Sequence, residues 1–347
     1  MIPNRLLQKA VLMLLCLFLL NQKTNSQSYT VECNKIWGDE NTYCAFTSLI
    51  KYKGNYLCSF REGVSHVFDE NGKAEGKIRI IASRNGKKWH SVYLGGKEGI
   101  DLRDPKLSVM PDGRIMVIVG GSIYRNRQLV GMVPQVCFST DGVNFSEPQP
   151  VQFTDGQAHR RDWLWRVTWH EGTGYVVDYG ADENKKQYLR LYSTTDGIHF
   201  SLVDNLSVSD SPNETTVRFL PDGRMALMVR RDGGDCKGYW GTASAPYTQW
   251  EWTPMDMRLG GQDFLVHNDQ LLVATRSYHL PHAKTALYKG NFKGKLEEVA
   301  VLPSHGDSSY PGLLVEGDKL WVSYYSCHQG KKAAIYLAKV PLSLFER

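Results

Sequence analysis

Beyond residue 26 the apolar positions fall in short runs rather than at helical spacing, and the runs end at turns bearing Gly, Asp or Asn. Runs of this kind, rich in β-branched and aromatic residues, predict strands paired as hairpins. One run opens at Asn213-Glu214-Thr215-Thr216 and ends at Pro221-Asp222-Gly223. A second, Met225-Ala226-Leu227-Met228-Val229, brings the chain back to Arg230. A hairpin returns the chain to the level where it began, so Glu214 and Arg230 are expected as cross-strand neighbours at one sheet edge.

The same strand–turn–strand unit recurs at 47–60, 104–120, 163–179, 213–230, 262–276 and 310–324. Six such units predict an all-β, six-bladed propeller of four-stranded sheets. The last sheet, ending with 333–340, needs one more strand, and 29–37 is the segment expected to close the ring. A second repeat supports this reading. Ser83-Arg84-Asn85-Gly86-Lys87-Lys88-Trp89, Ser139-Thr140-Asp141-Gly142-Val143-Asn144-Phe145 and Thr194-Thr195-Asp196-Gly197-Ile198-His199-Phe200 are copies of one turn at a blade-like period. Asx-Gly makes the tight turn, the hydroxyl bonds back to the backbone, and the aromatic plugs the space between sheets.

The first 26 residues differ from the rest. Arg5 and Lys9 precede an apolar stretch too short to span a bilayer, and Thr24-Asn25-Ser26 offers small residues for cleavage. They read as a signal peptide, with a lipoprotein anchor at Cys16 as the alternative. Their removal takes away Arg5, Lys9 and Lys23 and no acid, lowering the formal charge from +5 to about +2. That balance, with no basic run, argues against nucleic acid as a partner. The expectation is a single catalytic domain over 27–347, exported to the periplasm or beyond, monomeric and without a membrane span once cleaved. Cys33, Cys44, Cys58, Cys137, Cys236 and Cys327 lie mostly in apolar runs, as buried free thiols do, with one pair at Cys33 left open.

The three Asp-box turns, the six hairpins, the Asn-Glu…Arg hairpin and the later Ser309-Tyr310 together resemble the sialidase superfamily over residues 40–342. The chain is also similar to the sialidase-like glycoside hydrolases exported by bacterial polysaccharide-degrading systems. The resemblance implies that Tyr310 is a nucleophile toward an anomeric carbon, with Glu214 taking its proton. A neutral phenol suits a sugar whose anomeric carboxylate would repel an anionic nucleophile. It also implies a general acid on a loop of the first blade, where Asp69 matches by spacing and His66 competes.

The family binds the substrate carboxylate with three arginines. Arg230 matches one; Tyr43-Cys44-Ala45-Phe46-Thr47 lacks the first, leaving Arg61 as its substitute; Arg276 and Lys284 are candidates for the third. Further polar residues open other blades and are expected at the same mouth. Asp104 and Asp263 would bind hydroxyls, Arg166 would add a charge, and Trp165 would stack on a sugar face. Arg231 must point away from Arg230 and is read as structural. No metal or cofactor is required by these assignments. The leading expectation is an exo-acting glycosidase whose partner is a glycan. A non-catalytic sugar-binding propeller and a uronate lyase are the alternatives.

Overall fold

In the computed structural model the described residues are 31–346, apart from 158, 160, 183, 280 and 281. The expected signal segment, 1–26, lies outside them, as do the first two residues of the closing strand. Six sheets follow one another along the chain; four have the expected four strands, while blades two and three have five and six. All strand pairings are antiparallel except that of the short Gln152–Phe153 segment of blade three. The simplest is blade four, in which Pro212–Phe219, Met225–Arg231, Lys237–Ala243 and Glu251–Arg258 pair in sequence order. Blade six pairs Ser308–Glu316, Lys319–Ser326 and Ala334–Pro341, and Glu32–Trp37 supplies its outer strand. The ring is thus closed by a strand from the opposite end of the chain, as expected. Among the described residues no helix is long and apolar enough to cross a membrane.

The three repeated turns each join the third and fourth strands of a blade. Ser83, Ser139 and Thr194 accept the backbone N–H of Gly86, Gly142 and Gly197 at 2.9, 2.9 and 2.8 Å. Phe200 is fully buried, while Trp89 and Phe145 are half-buried plugs. Between blades one and two the apolar core contains Leu57, Ile80, Leu107 and Val117. Buried hydroxyls fasten neighbouring blades to one another: Ser59 to Pro105 O, Thr47 to Tyr310 O, and Thr216 to Gln262 O. Each satisfies a polar group that would otherwise be stranded in the core. All six cysteines among the described residues are free thiols, three of them buried.

Two irregularities shape the mouth of the propeller. The first strands of blades one, two, four and six each carry a register shift, after Ala45, Arg103, Pro212 and Ser309. Bulges of this kind re-aim side chains at a sheet end. Phe46, Asp104 and Tyr310 all occupy such shifts with positive φ, at 67°, 52° and 50°. In blade three the inner strand is broken into Asp162–Leu164 and Thr168–His170, with Trp165 and Arg166 in the gap.

Candidate active site

The bulges bring residues from blades four, five and six together. The Tyr310 hydroxyl donates to Glu214 Oε1 at 2.6 Å. Arg230 Nη1 donates to Glu214 Oε2 at 2.8 Å and reaches the Tyr310 oxygen at 3.0 Å. The backbone N–H of Gly261 adds a further bond to Glu214 Oε2 at 2.9 Å. The carboxylate is therefore fixed by a phenol, a guanidinium and an amide, while Gln262 ties its backbone carbonyl to blade five at 2.6 Å. Burial, followed by the nearby Glu214 charge, holds the Tyr310 phenol well above its ordinary pKa. It is neutral in the resting protein and faces a proton acceptor already in place.

Tyr310 and Glu214 are nearly buried, at 9 % and 7 % exposed, yet both line an open cleft of about 420 Å³. Arg230, Asp232, Asn213, Tyr179, Gln187 and Arg161 complete most of its wall. Around Tyr310 the ring surfaces are covered. Phe46 meets it edge-on at 5.1 Å, Trp165 at 5.9 Å, and the Arg276 guanidinium stands 5.4 Å from its centroid.

Several expected ligands are placed elsewhere. Arg61 is buried against Asp101, with Nε donating at 2.9 Å, and binds Ser65 O; it holds a loop of blade one and does not reach the cleft. Phe46, not an arginine, fills the position beside Tyr310. Asp69 caps a local turn by accepting the Lys73 N–H at 2.7 Å and lies off the cleft wall. His66 bonds Asp307 through Nδ1 at 2.5 Å and faces Arg103 through Nε2 at 3.1 Å, so both ring nitrogens are engaged. Arg276 does flank Tyr310, but donates to Ser308 O at 2.7 Å and to Asp307 at 3.2 Å. Lys284 lies cross-strand from Ser277 in blade five, away from the cleft wall.

Buried contacts account for the others. Arg166 pairs with Asp263 at 3.0 Å, and Arg218 takes the second Asp263 oxygen at 2.7 Å, so neither Arg166 nor Asp263 is free to hold a sugar. Trp165 is 1 % exposed and packs rather than stacks on a ligand. Arg231 is structural, as expected from its alternation with Arg230, and binds Asp210 and Lys237 O. Lys106, buried just below the site, lies 3.6 Å from Asp104 and 4.9 Å from the Trp165 ring centroid. Burial brings its ammonium down to about 8 despite the Asp104 charge.

Asp104 differs from the other carboxyls beside Tyr310. Its Oδ1 is buried without a hydrogen-bond partner and faces Lys106 Nζ at 3.6 Å. Burial raises its pKa above the carboxylate norm, and Glu214 adds to the effect. By contrast, three hydrogen-bonding side chains around Asp307 (His66, Tyr325 and Tyr43) outweigh burial and hold its carboxyl well below that norm. Asp104 lies behind the cleft wall rather than on it, and is the carboxyl near Tyr310 and Glu214 whose burial favours the protonated form.

Sequence reasoning missed Gly261, Phe46, Arg161, Tyr179, Gln187 and Asp232. The Gly260-Gly261 doublet before Gln262 was the available sign of a close backbone approach. Arg161 and Gln187 carry no comparable mark, because surface arginine and glutamine are common.

No family model matches the chain, and no curated protein matches its sequence. Solved structures do match its fold. A protein of unknown function from Dyadobacter fermentans is similar at TM-score 0.76 and 18 % identity, covering 88 % of this chain and 97 % of that one. A Trypanosoma rangeli sialidase mutant displaying trans-sialidase activity is similar at TM-score 0.70 and 12 % identity, covering 91 % of this chain and 59 % of the mutant. A mutant α-L-arabinofuranosidase from Fusarium graminearum, in complex with an iminosugar inhibitor, is similar at TM-score 0.66 and 15 % identity, with 90 % and 98 % covered. The chain is a six-bladed β-propeller of the sialidase-like fold, structurally similar at low identity to sialidases and to other glycoside hydrolases.

Proposed function

We propose that this protein is an exported, exo-acting glycoside hydrolase of the retaining type. The observation carrying that reading is the 2.6 Å contact between the Tyr310 hydroxyl and Glu214 on the wall of an open cleft. In the first step the phenol oxygen bonds to the anomeric carbon and its proton passes to Glu214. The bond to the leaving oxygen breaks, and Asp104 supplies the proton that oxygen needs. Water then attacks the glycosyl–tyrosine with Asp104 as base, and Glu214 returns the proton to the phenolate.

The substrate is a terminal aldose, neutral or uronic, in preference to sialic acid. Arg61 is engaged by Asp101 and Arg276 by Ser308 and Asp307, while Phe46 stands beside Tyr310. Arg230 alone does not make a three-arginine clamp for an anomeric carboxylate.

The test is a screen of p-nitrophenyl glycosides and natural glycans with wild type beside Tyr310→Phe. A loss of about three or more decades in rate, with an unchanged circular dichroism spectrum, supports the nucleophile. Equal rates remove Tyr310 from the mechanism.

A further inference from the structure

Behind the cleft wall, three potential ligands converge that the glycosidase chemistry does not use. Asp162 opens the broken inner strand of blade three, and Asp178 lies on the adjacent strand, Thr173–Ala181. Both are fully buried. His159 precedes Asp162 by three positions, and one ligand atom from each of the three lies within 4.8 Å of the others.

The hydrogen bonding around these residues is incomplete in a particular way. Asp162 Oδ1 receives the Tyr188 hydroxyl at 2.8 Å and faces His159 Nδ1 at 2.9 Å. Asp178 Oδ1 accepts the Trp163 N–H at 2.9 Å. The remaining oxygen of each, Oδ2, is buried without a partner. Two adjacent buried carboxyls with unpaired oxygens call for either a shared proton or a positive charge between them. Arg190 lies cross-strand from Asp178 but is stacked over the Tyr188 ring at 3.8 Å. Among the described residues it makes no ion pair with either carboxylate.

The histidine is held as a ligand would be. Its Nε2 faces Asp155 Oδ1 at 2.9 Å, and its ring stacks on Phe153 at 3.7 Å with only 9° between planes. A carboxyl acceptor at Nε2 fixes the ring proton there and leaves Nδ1 as the lone-pair donor, the second-shell arrangement typical of metal-bound histidine.

We propose that His159, Asp162 and Asp178 bind one divalent first-row transition-metal cation of the zinc class, independently of the glycosidase reading. Mixed imidazole and carboxylate donors suit zinc, whereas calcium and magnesium prefer oxygen alone. The cation fixes the cleft wall, because Arg161 and Tyr179 line the cleft and are sequence neighbours of Asp162 and Asp178.

The test uses the full mature chain, purified without a nickel resin, stripped with a chelator, dialysed and reloaded with zinc sulfate. Elemental analysis is expected to return about one zinc per chain, and thermal unfolding to shift upward by about 5 °C or more on reloading. Asp178→Asn is expected to lose both the zinc and the shift, while its metal-free form melts no lower than metal-free wild type, since a like charge has been removed. His159→Gln, changed at a partly exposed position, provides the second variant with the same expected loss of zinc. Absence of bound zinc together with a melting temperature indifferent to chelator and zinc overturns the proposal in favour of two carboxyls sharing a proton. Equal zinc uptake by both variants, or stabilisation by calcium and not by zinc, also overturns it.

Discussion

A Cβ built on Gly261 would stand 2.4 Å from the Tyr310 ring, while the Gly261 N–H donates to Glu214 Oε2 at 2.9 Å. One residue therefore admits the phenol and fixes the carboxylate that faces it. It also adopts φ of +59°, where a side chain is strained. Gly261→Ala is expected to destabilise the fold by about 2–4 kcal/mol, through left-handed strain and overpacking together. Its turnover should fall by at least about tenfold because the phenol is displaced. Gly223→Ala makes the control: φ is +85° but the space is open, so the strain acts alone, at about 1–2 kcal/mol. Urea unfolding of both variants checks the difference, and indistinguishable midpoints would contradict the steric account.

Arg230 bridges Glu214, the Tyr310 oxygen and Asp232, whose Oδ2 it meets at 3.0 Å. A lysine keeps the charge but cannot make the planar fork. Arg230→Lys is expected to lower kcat by about 10- to 100-fold by loosening Glu214 rather than by breaking the fold. Steady-state kinetics beside a thermal melt separates the two, and a melt lowered in proportion to activity would point to stability instead.

Asp104→Asn preserves shape and removes the proton. On a natural glycan, whose leaving alcohol needs protonation, the rate is expected to fall by about 10²–10⁴. On p-nitrophenyl glycosides, whose leaving group departs without help, the fall should be much smaller. The wild-type alkaline limb should lie above the ordinary carboxylate range, the direction in which burial moves Asp104. Equal losses on both substrate types would assign Asp104 to binding rather than to proton transfer.

Lys106 yields a stability prediction with a defined pH window. Its pKa falls from 10.5 to about 8 on folding, with burial as the main cause. Between those values the unfolded chain holds a proton that the native chain has released, so stability rises with pH across the window. Below pH 8 both states are protonated and this slope vanishes. The full effect is about 3 kcal/mol at 1.36 kcal/mol per pKa unit. Lys106→Met should flatten that rise in denaturant midpoints measured from pH 8 to 10.5. A rise of the same size in the variant would mean that Lys106 is not its source.

The propeller was legible because its elements are local. Each hairpin needs only an apolar run, a Gly-containing turn and a second run, and the Ser/Thr-x-Asx-Gly turns repeat that message at blade spacing. Alternation on a strand likewise sent Arg230 and Arg231 to opposite faces. The Tyr310–Glu214 pair was reached through a resemblance rather than through spacing, since 96 positions separate the two residues.

Which charged residues face the cleft was decided by tertiary structure alone. Arg61, Arg166 and Arg276 look equivalent to Arg230 in the chain, yet Asp101, Asp263 and Ser308 take up their donors. A guanidinium goes to the acceptor that packing brings within about 3 Å, and sequence order does not encode that distance across blades. The burial that singles out Asp104, and the Gly261 backbone aimed at Glu214, arise only when the ring closes. Local order along the chain suffices for the strands, turns and ring; closure of that ring selects which polar residues meet.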